Sequence, residues 1–261
     1  MNEEASRTNW HDLVVELDAW QAEGGIATLW WRDDDAAQVT NALEKMLTIS
    51  EDSKTPLALA VIPAAAGVDL KRRLAGHAQT HILQHGLAHK NHQPVGGKKS
   101  EFGDSRHLHQ VQSDLSEGRD VLSAWHNVLP VFVPPWNRME NRFLDLLPKL
   151  GFTGVSCFKA RRSRLPVPGL LAVNSHVDLI QSRDGNRRFI GTGAALQATI
   201  DHLSSRRRGR VDRDEPTGIL THHLDHDDGA WRFVERFLAV ITDHRAARWC
   251  DAAEIFLQKA L

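Results

Sequence analysis

The sequence predicts an α/β fold with a parallel sheet covered by helices, and three observations lead there. Apolar runs bounded by polar, Gly or Pro punctuation recur along the chain, as buried strands do. Segments of helical spacing separate them, giving roughly seven or eight strand–helix units. Four short polar clusters each follow an apolar run directly. They are Asp33, Asp34 and Asp35 after GGIATLWWR, His85 to His89 (HGLAH) after THILQ, Pro134 to Asn137 (PPWN) after PVFV, and His222 and His223 after TGIL. Carboxylates and imidazoles at several strand ends are how a parallel α/β fold assembles one site from distant sequence.

The elements follow in order. Residues 10–22 space Leu13, Val14, Leu17 and Trp20 as one helix face, and Gly24 and Gly25 stop that helix. Residues 26–31 form a first buried strand, and residues 38–49 return to helical spacing with Leu43, Met46 and Leu47 on one face. PLALAVIPAAA supplies the second strand, GVDLKRRLAGH a short helix and THILQHG the third strand. Residues 90–112 are polar and Gly-rich and predict a long loop, a length usually kept for function or disorder. A helix over 113–128 precedes the strand PVFVPPW; ENRFLDLLPKLGF is helical, and TGVSCF and GLLAVNSHVDLI are strands. A helix over 192–205, a strand and loop in TGILTHHLDHD, a helix in GAWRFVERFLAVITDH and the segment AEIFLQKAL complete the chain. With no internal repeat and no low-complexity linker, residues 1–261 read as one domain.

Composition narrows the function classes. The net charge is -1 and the isoelectric point about 7.0, so no basic field invites nucleic acid. The 15 histidines matter because imidazole is the commonest metal ligand among side chains. There is no Tyr, so an aromatic platform for a sugar must come from another residue type. Cys157 and Cys250 form neither a disulfide framework nor a metal motif. The acidic start lacks a signal peptide's basic and apolar regions, and no apolar stretch has the length of a membrane span, so a cytoplasmic protein is expected. The run SSRRRGRVDRDE, residues 204–215, reads as a solvated loop, with a phosphate-binding patch as the alternative.

Asp and His are the ligand types that hold a divalent ion, and the chain reads as a metal-dependent hydrolase. His85 and His89 share a face of a helix or converge on a tight loop after a strand. His92, just beyond, is a candidate third ligand or supporting partner. Three adjacent carboxylates repel one another unless a cation or an arginine neutralises them, and Arg32 adjoins them. One of the three, Asp35, also suits a helix N-cap. The cluster His222, His223, Asp225 and His226 allows a second metal site or a single general acid, while Asp227 and Asp228 read as helix caps. Pro134 and Pro135 fix a rigid turn that places Trp136 and Asn137, and Trp136 suits either a sugar wall or the core.

In this order the clusters WRDDDA, HGLAH, VPPWN and LTH resemble the motifs of the polysaccharide deacetylase family, the nodulation-type chitooligosaccharide deacetylases. The match spans roughly residues 26–224. RDDDA, QHGLAHKNH and KKSEFG point to a divergent branch acting on bacterial cell-surface or O-antigen polysaccharide. The resemblance implies a distorted (β/α) barrel of about seven strands, a divalent metal ion, most often zinc, and a carbohydrate substrate. It implies Asp33 as general base, Asp34, His85 and His89 as metal ligands, and His222 as general acid. Pro135, Trp136 and Asn137 would contact substrate, with a backbone N–H near Trp136 for the oxyanion. This register of the Asp run rests on Thr40, which falls where the family often has Thr; a shift by one makes Asp34 the base and Asp35 the ligand. Val133 stands where the family has an arginine before its prolines, and Arg32 or Arg138 is the candidate replacement. The doubled His222 and His223 leave the acid open, and KKSEFG brings Glu101 towards the site through its loop. The implied reaction is release of acetate from an N-acetylated sugar; another amide or ester hydrolase, or a non-catalytic carbohydrate-binding relative, are the alternatives.

Overall fold

A computed structural model describes residues 8–183 and 186–257. Its elements are α1 (Trp10–Ala22), β1 (Ala27–Ala36), α2 (Asn41–Ser53), β2 (Leu57–Val61), α3 (Val68–Ala75), β3 (Thr80–His85), α4 (Leu108–Leu122), β4 (Val128–Val133) and α5 (Leu146–Lys149). Then come β5 (Gly154–Val155), β6 (Leu171–Ala172), β7 (Val177–Asp178), β8 (Ile180–Arg183), β9 (Asn186–Phe189), α6 (Thr192–Arg207), β10 (Thr217–Thr221), α7 (Asp228–Asp243), β11 (Ala247–Trp249) and α8 (Ala252–Leu257). Eight strands pair side by side in the order β6-β5-β4-β3-β2-β1-β10-β7, and β11 pairs with the start of β1. Each of these pairings is parallel. The expected distorted barrel is thus borne out as a parallel-strand half-barrel sheet with flanking helices, with eight strands in its main path.

Strand alternation separates two buried faces, as a sheet covered on both sides requires. On one face Trp30 packs with Ala58, Ala60, Leu83, Val131 and Val133. Helix α8 closes this side, its Phe256 meeting Trp30 edge-on at 5.9 Å. On the other face Trp31, Leu57 and Leu59 pack against apolar residues of α1, α2, α6 and α7. Residues after Trp30 at even spacing therefore face the concave interior, and those after Trp31 face the helices.

Several elements differ from the sequence reading. Helix α4 begins at Leu108, because Val111 is buried and the His107 N–H donates to Gln110 Oε1 at 3.4 Å. The expected helix over 140–152 is reduced to the short α5, preceded by a 3₁₀ turn at Asn141–Phe143. The strand expected over 169–180 is split into β6 and β7, and the antiparallel hairpin β8–β9 follows it unforeseen. The arginine run begins as the end of α6 and only then becomes a largely exposed loop. Arg206 is buried and donates to Thr28 O at 2.7 Å and Thr217 Oγ1 at 3.0 Å, while Arg207 pairs with Glu16 at 2.8 Å. No helix of the described residues is long and apolar enough to cross a membrane.

Candidate metal centre

The polar clusters converge at the carboxyl ends of β1, β3, β4 and β10. Asp35 near the end of β1, His85 at the end of β3 and His89 in the following turn bring one donor atom each within 4.8 Å of one another. Asp35 Oδ1 lies 3.2 Å from His85 Nε2 and 3.1 Å from His89 Nε2. His85 Nδ1 is 3.0 Å from the Val133 carbonyl. A carbonyl only accepts, so Nδ1 carries the proton, and a neutral ring turns the bare lone pair of Nε2 towards the Asp35 carboxylate. A lone pair facing a carboxylate at this distance calls for a proton or a cation between them. Backbone bonding of the far nitrogen is also how metal-ligating histidines are oriented. Two imidazoles and one carboxylate are a zinc-type donor set of three, which leaves a coordination position for water or substrate. These residues fit a divalent ion.

The electrostatics agree. Burial opposes ionisation of Asp35, but the imidazoles of His85 and His89 against it outweigh burial and hold the carboxyl far below its usual range. Burial lowers the pKa of His85, yet the charges of Asp34 and Asp35 prevail and raise it. Arg187, from β9, reaches Asp35 Oδ2 at 3.2 Å and Asp225 at 3.1 Å, adding a second positive group beside this carboxylate.

The Asp run is corrected by one residue. Asp34, expected beside the histidines as a ligand, is paired instead with Arg32, whose Nε lies 2.9 Å from Oδ1 and whose Nη2 lies 3.0 Å from Oδ2. Arg32 is fully buried, and its remaining donors reach Ser156 Oγ at 2.7 Å and Asn137 Oδ1 at 2.6 Å. An arginine of β1, two residues from Asp34, thus pairs with this carboxylate where the sequence has Val133 before its prolines. Arg138 takes no part, since its Nη1 donates to the Lys99 carbonyl at 2.9 Å. Asp33, expected to be the base, faces the helices. Its carboxylate meets His223 Nδ1 at 2.6 Å and accepts from Thr221 Oγ1 at 2.7 Å and the His223 N–H at 2.9 Å. Burial would raise its pKa, but the His223 charge and these bonds lower it. Thr40, the guide to the earlier register, caps α2 by accepting from the Leu43 N–H at 3.1 Å. Asp35 is accordingly no helix cap.

The two late histidines are distinguished by their partners. His223 is committed to Asp33. His222 has its Nδ1 3.5 Å from Asp178 Oδ1 of β7. Burial lowers the pKa of His222, but Asp178, Asp34 and Asp35 together raise it. It therefore senses both carboxylates of the centre. Asp225 pairs with Arg187, and Asp227 caps α7 through the Ala230 N–H at 2.8 Å. His226 lies edge-on to Trp231 at 4.5 Å, and among the described residues this cluster assembles no second metal-binding group. His92 is likewise outside the centre; its main chain pairs with Ser100 and Ser105.

The proline turn does hold its residues close. Trp136 lies on His89, ring centroids 4.2 Å apart, and Pro135 is buried. Asn137 is engaged by Arg32. Asp35 (φ 73), His89 (φ 53), Trp136 (φ 56) and Asn137 (φ 56) all adopt left-handed backbone, a conformation costly for side chains other than glycine and concentrated at functional sites. Nothing in the local sequence marks these residues for it. Asp178 and Arg187 were also missed: Asp178 lay within an expected strand with nothing to single it out, and Arg187 belongs to a strand too polar to read as sheet.

By sequence, the chain matches no family model and no curated protein. By structure it is similar to a polysaccharide deacetylase from Mycobacterium smegmatis, with 15% identity, a TM-score of 0.65 and coverage of 89% of this chain and 90% of that one. A family 4 acetyl xylan esterase from Clostridium thermocellum, solved with a cobalt ion, matches with 12% identity, a TM-score of 0.53 and coverage of 88% and 90%. A family 4 pseudoenzyme from Bacillus anthracis matches with 11% identity, a TM-score of 0.55 and coverage of 88% and 66%. The chain therefore has the fold of the polysaccharide deacetylases and family 4 carbohydrate esterases.

Proposed function

We propose that the protein is a metal-dependent hydrolase that removes acetyl groups from N-acetylated sugars of a polysaccharide or its precursor. The observation that carries this reading is the meeting of three units at one strand-end face: the Asp35, His85, His89 donor set, the Arg32-paired Asp34, and the Asp178-paired His222. Asp35, His85 and His89 would hold the ion. A divalent ion there, most suitably zinc, supplies Lewis acidity, lowering the pKa of a bound water to about 7 in good cases and polarising an amide carbonyl.

In this reading Asp34 is the general base. Arg32 orients its carboxylate to accept the proton of the attacking water. His222, held by Asp178 and kept protonated by the nearby carboxylates, donates to the departing amine. Trp136 forms a wall over His89 for the sugar, while Pro135 and Asn137 set the position of that wall. Products are acetate and the amino sugar.

The test is acetate release from N-acetylated oligosaccharides by the zinc-loaded protein, with metal content measured alongside. Asp34→Asn should lower kcat by about 10²–10⁴-fold, the usual worth of a general base, and leave one ion bound. Asp35→Asn should lose the ion. An Asp34→Asn variant that turns over at the wild-type rate removes the base assignment. Activity confined to O-acetyl esters or small amides would instead mark a different hydrolase on this fold. A non-catalytic relative drew its support from the missing arginine before Pro134, and Arg32 removes that support.

A further inference from the structure

Glu101 is fully buried, and among the described residues its carboxylate is bound by main-chain N–H groups rather than paired with an arginine or lysine. Oε1 accepts from the Ala88 N–H at 2.9 Å and Oε2 from the Leu87 N–H at 3.3 Å. Arg106 touches Glu101 only at its backbone carbonyl, at 3.2 Å, and spends its charge on Asp114 at 2.7 Å. Burying a carboxylate without a cation is expensive, and a neutral side chain would fill the same space at lower cost. The bonded N–H groups belong to the turn between His85 and His89. Gly86, in that turn, has φ +63, and a Cβ there would lie 2.1 Å from Glu101 Oε2 and 2.6 Å from Pro135 Cγ. The carboxylate therefore sits directly against the turn, which in turn presents His89 at φ +53, a conformation that persists only when its surroundings hold it.

We propose that Glu101 is a positioning residue for the metal centre: it clamps the turn at Leu87 and Ala88 and so fixes His89 against Asp35. This rests on the metal reading above. Outer groups that orient metal ligands are typically worth 10–100-fold in metal affinity. Ordering the turn before the ion arrives removes that cost from binding.

The experiment is a cycle on the intact chain. Co²⁺ affinity and the visible Co²⁺ spectrum are measured for wild type, Glu101→Gln, His89→Ala and the double variant, with thermal unfolding of each metal-free protein. The expected result is a 10–100-fold weaker Co²⁺ affinity and an altered spectrum for Glu101→Gln, with no further loss when it is added to His89→Ala. Equal losses in both backgrounds, or wild-type affinity and spectrum in Glu101→Gln, would overturn the assignment while leaving the metal centre in place. No Co²⁺ binding by wild type would remove both. Should Glu101→Gln not fold, Glu101→Asp replaces it in the cycle: it keeps the charge but is too short to span both N–H groups, and wild-type affinity in that variant overturns the proposal.

Discussion

Three consecutive aspartates meet three different sets of neighbours, Asp33 with His223, Asp34 with Arg32 and Asp35 with His85 and His89. Asp33 is sealed among His223 and Thr221, so its value is structural. Breaking a buried ion pair by removing one charge costs about 3 kcal/mol or more. Asp33→Asn should therefore lower the urea midpoint clearly, while protein that remains folded keeps its metal. Asp34→Asn leaves the buried Arg32 guanidinium unpaired and should lower the midpoint as well, but unlike Asp33→Asn it should remove turnover from protein that stays folded. Wild-type turnover in folded Asp34→Asn, or lost metal binding in folded Asp33→Asn, would contradict this division. The sequence made the cluster visible and left its register open. The deciding facts are that Arg32 folds back on Asp34 and that Thr40 is placed by the start of α2 rather than by its distance from the aspartates. Both are short-range contacts, but no apolar pattern encodes either. Val133, in the place of an arginine, pointed to a substitute, but only the fold distinguishes Arg32 from Arg138.

At the scale of the element, β1 shows what periodicity can deliver. Trp30, Arg32 and Asp34 share the concave face, and Trp31 and Asp33 the helix-covered face, as alternation requires. The pattern breaks at Asp35, where φ turns positive and the pairing with β2 shifts register between Asp33 and Ala36. That break lets adjacent residues serve one site, and no apolar pattern encodes it. The HGLAH turn was legible as a pair of imidazoles after a strand, but its dependence on Gly86 was not. Gly86→Ala forces a side chain into left-handed backbone, costing about 1 kcal/mol, and also drives a methyl into Glu101 and Pro135. The variant should melt lower and bind Co²⁺ more weakly; unchanged melting and affinity would show that the turn yields freely. The hairpin β8–β9 was not legible, because its strands are too polar to read as sheet.

Across the whole molecule, acid should act far from the metal centre. His176 and His202 stack at 3.6 Å beneath α6, with His176 Nδ1 accepting from the Gly218 N–H at 2.9 Å and His202 Nδ1 facing Thr217 Oγ1 at 3.0 Å. Burial, with help from His176 and Arg206, pushes His202 down to about 2 from an ordinary 6.5. The folded protein thus keeps this ring neutral over a range in which the unfolded chain protonates it. The stability gained is complete above pH 6.5 and is lost as the pH falls from there towards 2. One such proton corresponds to about 1.4 kcal/mol per pH unit. Urea midpoints between about pH 6.5 and 5 should fall less steeply for His202→Gln than for wild type. Parallel slopes would show that the ring is protonated in the fold. The order of strands and the face that carries the chemistry were readable at this scale, since apolar runs and their polar ends are repeated features. Contacts such as this one join α6 to β10 and to the segment before β7, and depend on the finished packing.

The left-handed residues set a limit on how this protein adapts to heat. Seven non-glycine residues of the described chain adopt that backbone, and Asp35, His89, Trp136 and Asn137 are four of them. Lys54, the left-handed cap of α2, lies apart from the chemistry, and Lys54→Gly should raise the melting temperature by the equivalent of about 1 kcal/mol with turnover intact. A lower melting point would show that this cap is not strained. The same exchange at Asp35 or His89 would relax the backbone equally but delete a donor. Selection for heat resistance alone would thus favour glycine at both kinds of position, and a lineage relieved of the need for turnover would drift towards a sturdier, inert descendant.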